Sequence, residues 1–121
     1  KSISFVQLLS PTTTKNRMKK IVNESHDMIY YISMLSTTGG KLKVSPKNIM
    51  KNYNMIKRIN PKKNLVIGFG ITDKNISSLK SAQGLVCGSF LCKTITNSLR
   101  MRQNPVTNLV KVVYNLRKKT L

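Results

Sequence analysis

Short apolar stretches alternate with amphipathic helical patterns along the chain, and this alternation limits the possible folds more than any other feature of the sequence. The apolar stretches lie at 3–9, 28–33, 64–69 and 84–88. Each is followed by a segment whose apolar residues recur at helical spacing, and the last is followed by two such segments. Because apolar strands separated by helices pair in parallel, the pattern predicts an α/β fold in the order β-α-β-α-β-α-β-α-α.

Residues that begin and end helices support this interpretation. Threonines at 12–14 offer N-caps for a helix over 15–24. Pro46 and Pro105 each fit the first turn of a helix, since that position needs no backbone N–H. A short helix is expected around 76–79 and a longer one from about Ser89. The helix from Ser89 is predicted to bury Phe90, Leu91, Ile95 and Leu99. The last helix is predicted to carry Val106, Leu109, Val110, Val113 and Leu116 on its apolar side.

Four βα units are compatible with two architectures. One is a small doubly wound sheet, and the other is half of a (β/α)8 barrel, whose full length is about 250 residues. The chain has 121 residues, enough for one modest domain. The pattern of apolar residues alone leaves both architectures open.

The charge is strongly unbalanced, with 22 Lys and Arg residues against 3 Asp and Glu residues and a net charge of +19. Such a balance favours a polyanionic partner. However, the basic residues are spread along the chain, and there is no Trp to provide a stacking platform for bases. This argues against a nucleic-acid partner, although a basic nucleic-acid-binding module stays open as the alternative. The positive field also attracts phosphorylated metabolites.

The cysteines, the histidine and the hydropathy exclude several other classes. Cys87 and Cys92 form neither a CxxC motif nor a disulfide framework, and His26 alone does not complete a zinc site with them. We expect buried, unpaired thiols and no metal. No apolar run approaches the roughly 20 residues of a membrane span, and no leader is recognisable. The sequence therefore predicts a cytoplasmic or organellar protein with no membrane contact.

Two glycine motifs follow the last two predicted strands. Gly68-Phe69-Gly70-Ile71 ends the third strand, where glycine lets a ligand approach the backbone. Gly88-Ser89 lies where the fourth strand meets a helix, whose unpaired first N–H groups suit a phosphate dianion. Taken singly, the first motif is compatible with a packing glycine and Ser89 with a helix cap. In barrel enzymes, however, the loops after the last two strands together commonly form a phosphate site.

The rest of the chain narrows the choice of family. The following stretches, in this order, resemble the tryptophan synthase alpha chain family: SPTTTKNRMKKI at 10–21, IYYIS at 29–33, STTGG at 36–40, GFGI at 68–71 and GLVCGSFLCKTI at 84–95. The resemblance covers nearly the whole chain. It implies that residues 1–121 are a single partial domain, the C-terminal half of a phosphate-binding TIM (β/α)8 barrel with about four βα units.

The resemblance also implies an activity. The family cleaves indole-3-glycerol phosphate into indole and glyceraldehyde 3-phosphate, in tryptophan biosynthesis. The indole passes to a β chain that carries pyridoxal phosphate, so the expected partner is that β chain and no cofactor is expected in this chain. The expected substrate is a phosphorylated small molecule, and the expected compartment is the cytoplasm or the plastid stroma.

Site residues follow from the same resemblance. It implies that the phosphate rests on Gly68, Gly70, Gly88 and Ser89, with Gly39 of a mobile loop close by. Tyr30 corresponds to an aromatic residue beside the substrate and Phe69 to one in the pocket wall. Thr38 corresponds to the mobile-loop threonine that steadies a catalytic aspartate.

The chain departs from the family pattern in two respects. The mobile loop usually reads close to SRxGVTG, but Met34 stands at its arginine and Ser36 at its glycine. The acidic residues of this chain, Glu24, Asp27 and Asp73, match neither family catalytic carboxylate. We therefore expect no catalytic residue here, an inactive isolated chain, and either a missing N-terminal half barrel or self-association. Another phosphate-binding barrel enzyme is a further alternative.

Overall fold

The computed structural model describes residues 3–33 and 44–121. Its elements follow the predicted order. They are β1 (Gln7–Leu9), α1 (Lys15–Glu24), β2 (Met28–Ile32), α2 (Pro46–Ile59), β3 (Asn64–Gly68), a 3₁₀ helix (Ile76–Leu79), β4 (Gly84–Val86), α3 (Gly88–Arg100) and α4 (Pro105–Lys118). The first strand is shorter than the apolar stretch at 3–9, because only its last residues pair with β2. Most of the predicted loop at 34–45 lies outside the described residues.

The strands form one parallel sheet in the order β1-β2-β3-β4. Tyr30 is level with Leu8 on one side and with Val66 on the other, and Gly68 is level with Val86. A doubly wound sheet reverses its strand order partway, whereas this order simply follows the sequence. With right-handed crossovers, a sequential order places every crossover helix on the same side of the sheet. The topology is therefore that of a partial barrel, as predicted.

The core lies between one face of the sheet and the helices. Ile29, Tyr31, Leu65 and Ile67 are at most 1% exposed and alternate with residues that face the other way. They belong to one cluster with buried residues of α1 and α2. Burial of this face holds the strands in register, because a slip of one residue would turn these side chains to the other face. The opposite face, the inner face of a barrel, is partly open.

The outer helices are less buried than their periodicity predicts. In α3, Ile95 is 36% and Leu99 61% exposed, so their predicted burial is wrong for this chain. In α4, Val106, Val110 and Val113 of the predicted apolar side are also exposed, and only Leu116 of that side is buried. The two helices pack mainly against each other. No part of the described chain covers their remaining apolar surface.

The thiols also differ from expectation. Cys87 is partly buried and Cys92 is exposed, so the prediction of two buried thiols is wrong for Cys92. Both are free of disulfides, as predicted. Cys92 lies on the exposed side of α3, and the apolar residues around it in the sequence do not reveal this. Within the described ranges, no helix has the length and hydropathy needed to cross a bilayer.

Candidate functional site

A cavity of about 470 Å³ lies at the carboxyl ends of β3 and β4. It is lined by Tyr30, Phe69, Gly70, Ile71, Val86, Gly88, Ser89 and Lys93. Five of the residues that the sequence singles out, Tyr30, Phe69, Gly70, Gly88 and Ser89, are thus brought together around one space. Gly68 is buried at the end of β3, beside this wall. Thr38 and Gly39 lie outside the described residues.

The turn after β3 has an uncommon backbone conformation. Phe69 has a φ of 80° and Gly70 a φ of 74°, both in the left-handed region. Glycine adopts this region freely, but for a bulky side chain it costs about 1–3 kcal/mol and persists only where surrounding contacts impose it. Phe69 is also 49% exposed, so burial of its ring does not account for the conformation. The turn must therefore be held by its polar contacts.

Hydrogen bonds to the carbonyl groups of the turn supply these contacts. Buried Ser33 donates its hydroxyl to Gly68 O at 2.8 Å and to Phe69 O at 2.6 Å, and its backbone N–H to Gly68 O at 2.9 Å. On the other side of the turn, Asn75 donates Nδ2–H to Gly70 O at 2.9 Å. The Oδ1 atom of Asn75 accepts the N–H of Thr72 at 2.9 Å, which fixes the amide. The carbonyl groups of Gly68, Phe69 and Gly70 therefore each accept a hydrogen bond.

The N–H groups of the turn have no partner in the part of the chain that the structure describes. All described peptide bonds are trans, so each N–H points opposite to the carbonyl of its own peptide. The carbonyls of Phe69 and Gly70 face Ser33 and Asn75, and consequently the N–H groups of Gly70 and Ile71 face away from those side chains. Neither N–H donates a hydrogen bond to any group within 3–33 or 44–121. Two unpaired donors next to an open cavity suit an anion.

The first turn of α3 adds further donors. The helix begins at Gly88, and its N-cap, Cys87, makes no side-chain capping bond. Ser89 lies inside the first turn and does not fill the N-cap position, so the helix-cap interpretation of Ser89 does not hold. The N–H groups of Gly88, Ser89 and Phe90 lack partners within the helix, and the positive end of the helix dipole is here. This end of α3 borders the same cavity.

Among the residues that the structure describes, Lys93 is the one charged side chain in the cavity wall. It lies one helical turn after Ser89 and so comes from the same side of α3. The sequence interpretation missed it, although this four-residue spacing was a usable signal. Of the acidic residues, Asp27 pairs with His26 at 3.5 Å and Asp73 approaches Lys119 at 4.0 Å, both outside this wall. Glu24 ends α1, also outside this wall. The described lining therefore favours an anion and carries no carboxylate for proton transfer.

A second cavity, of about 500 Å³, lies between β4 and α4. Its wall includes Gly84 and Leu85 of the edge strand and Leu116 of α4. β4 is the last strand of the described sheet, so this cavity lies beside the edge at which a closed barrel would continue with its next strand. Among the described residues, no group of three or more His, Cys, Asp or Glu side chains is placed to hold a metal ion. The backbone donors without partners among the described residues lie at the first cavity.

Comparison with known proteins agrees with this geometry. The family model described as "Tryptophan synthase alpha chain" matches residues 1–120. The tryptophan synthase alpha chain of Pelagibacter ubique is 66% identical over 119 residues, which cover 98% of this chain and 45% of that one. That of Coxiella burnetii is 33% identical over 128 residues, 98% of this chain and 47% of that one. The chain thus spans about half the length of these relatives.

Solved structures show the same fold. The crystal structure of tryptophan synthase subunit alpha from Legionella pneumophila superposes with a TM-score of 0.76 at 23% identity, over 95% of this chain and 41% of that one. A second Legionella pneumophila alpha-chain structure gives a TM-score of 0.72 at 24% identity. The predicted partial TIM barrel is therefore confirmed. From its sequence match and its fold, this chain belongs to the tryptophan synthase alpha chain family.

Proposed function

We propose that this chain forms the phosphate-binding half of a lyase that cleaves indole-3-glycerol phosphate into indole and glyceraldehyde 3-phosphate. The observation that supports it most is the presence, at one cavity, of several backbone donors that lack partners among the described residues. They are the N–H groups of Gly70 and Ile71 in the turn after β3 and those of Gly88 and Ser89 at the start of α3. Lys93 adds a positive charge at the same wall. This combination of helix N-terminus and glycine turn suits a phosphate dianion.

The remaining residues of the proposed site bind the rest of the substrate. Tyr30 and Phe69 line the cavity and offer aromatic surface to an indole ring. Thr38 and Gly39 lie outside the described residues, and their proposed part in substrate binding rests on the family resemblance alone. Binding the phosphate anchors the non-reacting end of the substrate in the cavity, so this half contributes to kcat/KM mainly through substrate binding.

Proton transfer must come from elsewhere in this proposal. Cleavage of the carbon–carbon bond needs a general acid and a general base within hydrogen-bond reach of the substrate. Within residues 3–33 and 44–121, the cavity wall contains no carboxylate and no histidine. We therefore place the catalytic carboxylates in the half of the barrel that precedes residue 1 in full-length relatives, and we expect residues 1–121 alone to be inactive. The proposed partner is a pyridoxal-phosphate β chain that receives the indole, and the proposed compartment is the cytoplasm.

The experiment uses a chimeric protein, called the joined chain below, in which residues 1–121 replace the matching segment of the Pelagibacter ubique relative. Indole release from indole-3-glycerol phosphate is measured for this chain and for two substitutions at Gly88. A Cβ on Gly88 meets no atom within 4 Å, so Gly88→Ala should preserve folding. Gly88→Asp should abolish turnover, because its carboxylate repels the phosphate, while the free energy of unfolding stays close to that of Gly88→Ala.

The outcomes separate the alternatives. Turnover by the joined chain that is lost only in Gly88→Asp supports the proposal. No turnover, together with tight, salt-sensitive and sequence-independent binding of duplex DNA, would favour the basic nucleic-acid-binding module that the net charge of +19 leaves open. Turnover of a different phosphorylated substrate would point to another barrel enzyme.

A further inference from the structure

Ser33 is a fully buried residue that immediately follows β2, and its side chain faces the turn after β3. Its exposed fraction is 0%, and the polar contacts described above all go to the end of the neighbouring strand β3. The hydroxyl lies 2.8 Å from Gly68 O and 2.6 Å from Phe69 O. Since both partners are carbonyl oxygens, the hydroxyl must be the donor and shares its proton between them.

The hydroxyl is not needed to hold the strands together. The backbone N–H of Ser33 already donates to Gly68 O at 2.9 Å and so continues the ladder between β2 and β3. What the hydroxyl adds is the contact to Phe69 O, one peptide beyond the end of the strand. This is the peptide at which the backbone enters the left-handed region, with a φ of 80° at Phe69. The contact therefore acts on the turn.

Fixing this carbonyl also fixes the donor at the other end of the same peptide. The peptide between Phe69 and Gly70 is planar and trans, so the Gly70 N–H points directly away from the carbonyl that Ser33 binds. Gly70 lines the cavity, and its N–H has no partner among the described residues. We propose that Ser33 is a positioning residue, whose buried hydroxyl holds the Phe69 carbonyl and thereby directs the Gly70 N–H toward a phosphate bound in the cavity.

This inference rests on the proposed function and is tested in the same joined chain. Ser33→Ala removes the hydroxyl and keeps the backbone N–H. Ser25→Ala is the matched control, because Ser25 is 5% exposed and donates its hydroxyl to one backbone carbonyl, Val22 O, at 3.0 Å. Ser25 precedes β2 and lies at the opposite end of the sheet. Both substitutions remove a buried hydroxyl, but only one acts on the turn.

We measure the dissociation constant for inorganic phosphate by calorimetry, and kcat and KM for indole-3-glycerol phosphate. Ser33→Ala should weaken phosphate binding about tenfold, the effect of one hydrogen bond to a charged group. It should raise KM by a similar factor and change kcat little, because the lost contact serves binding of a part of the substrate that does not react. Ser25→Ala should leave phosphate affinity and KM unchanged, whatever its effect on the free energy of unfolding.

Two further variants cover the case in which Ser33→Ala does not fold. Ser33→Thr keeps the hydroxyl and should keep the phosphate affinity, whereas Ser33→Cys, a weaker donor, should lower it. Equal phosphate affinity in the Ser33 variants and the parent chain would overturn the positioning role while leaving the proposed function intact. A parent chain that binds no phosphate would overturn both.

Discussion

The side chain of Tyr30 occupies the space that a Cβ atom on Gly68 would need. A Cβ built on Gly68 overlaps the hydroxyl oxygen and Cζ of Tyr30 and lies 2.9 Å from its Cε1. The two residues are on adjacent strands, with Tyr30 level with Val66 and Gly68 level with Ile32. Gly68 thus lets the tyrosine ring lie across the end of β3, and the ring forms part of the cavity wall.

Gly68→Ala should therefore displace Tyr30 and destabilise the fold. Forcing extra atoms into a packed site typically costs about 1–3 kcal/mol of unfolding free energy. The effect should be much smaller when Tyr30→Ala is present in the same chain, because the colliding ring is then absent. Urea denaturation of the parent protein, the two single variants and the double variant forms a double-mutant cycle. The cycle gives the coupling free energy between the two substitutions. Strictly additive effects of the two substitutions would show that the ring does not occupy this space.

Lys93 should contribute to anion binding by charge alone. Lys93→Gln is expected to weaken phosphate binding about threefold at low salt, in the range of a solvent-accessible ion pair, with the difference shrinking as salt is added. Lys111→Gln is the matched control, since it removes an exposed lysine of α4 that is not part of the cavity wall. An equal effect of both substitutions would mean that the net charge of the chain, and not this side chain, attracts the anion.

The two thiols should differ in reactivity. Burial raises the pKa of the Cys87 thiol above its ordinary value, whereas Cys92 is exposed. Because the thiolate is the nucleophile, a raised pKa leaves Cys87 less reactive at a given pH, and its alkylation should accelerate only at a more alkaline pH. Peptide mass spectrometry after timed iodoacetamide treatment at about pH 8 separates the two sites. Faster labelling of Cys87 than of Cys92 would contradict the burial of Cys87.

The isolated chain should self-associate. Val106 and Val110 are 66% and 64% exposed on α4, and β1 and β4 have unpaired edges. Sedimentation velocity on residues 1–121 should show species larger than a monomer at micromolar concentration. Val110→Lys should reduce this association, and Lys111→Gln, one position along the same helix, should not. A clean monomer before any substitution would contradict the expectation.

Element boundaries were largely predictable, because they depend on local chemistry. The bounds of α2 follow from Pro46 in its first turn and from the Asn60-Pro61 stop, each of which acts on the adjacent backbone. Thr14 occupies the N-cap position of α1 as predicted, although its side chain makes no capping hydrogen bond. The glycine motifs were also predictable, since their place after two neighbouring strands brings them to one edge of a parallel sheet. Helical periodicity shows which side of a helix is apolar, but it does not show which part of the molecule covers that side. For this reason Ile95 and Leu99 were wrongly expected to be buried.

The fixing of the turn after β3 was not predictable from the sequence. Ser33 reads as the last residue of a strand, and the residue to which it donates lies 36 positions away. The left-handed conformation of Phe69 is likewise hidden, because phenylalanine carries no local preference for it. Such features depend on which strand ends meet, so they appear only once the strands are paired.

The most direct test of the phosphate-binding account is a titration of the ¹⁵N-labelled joined chain with glycerol 3-phosphate, followed through its amide resonances. The account predicts saturable shifts at Gly70, Ile71, Gly88 and Ser89, the residues whose free N–H groups border the cavity. Absence of shifts at these amides, with weak shifts spread over exposed lysines on all the helices, would contradict it and would leave only general attraction of anions by a highly basic chain.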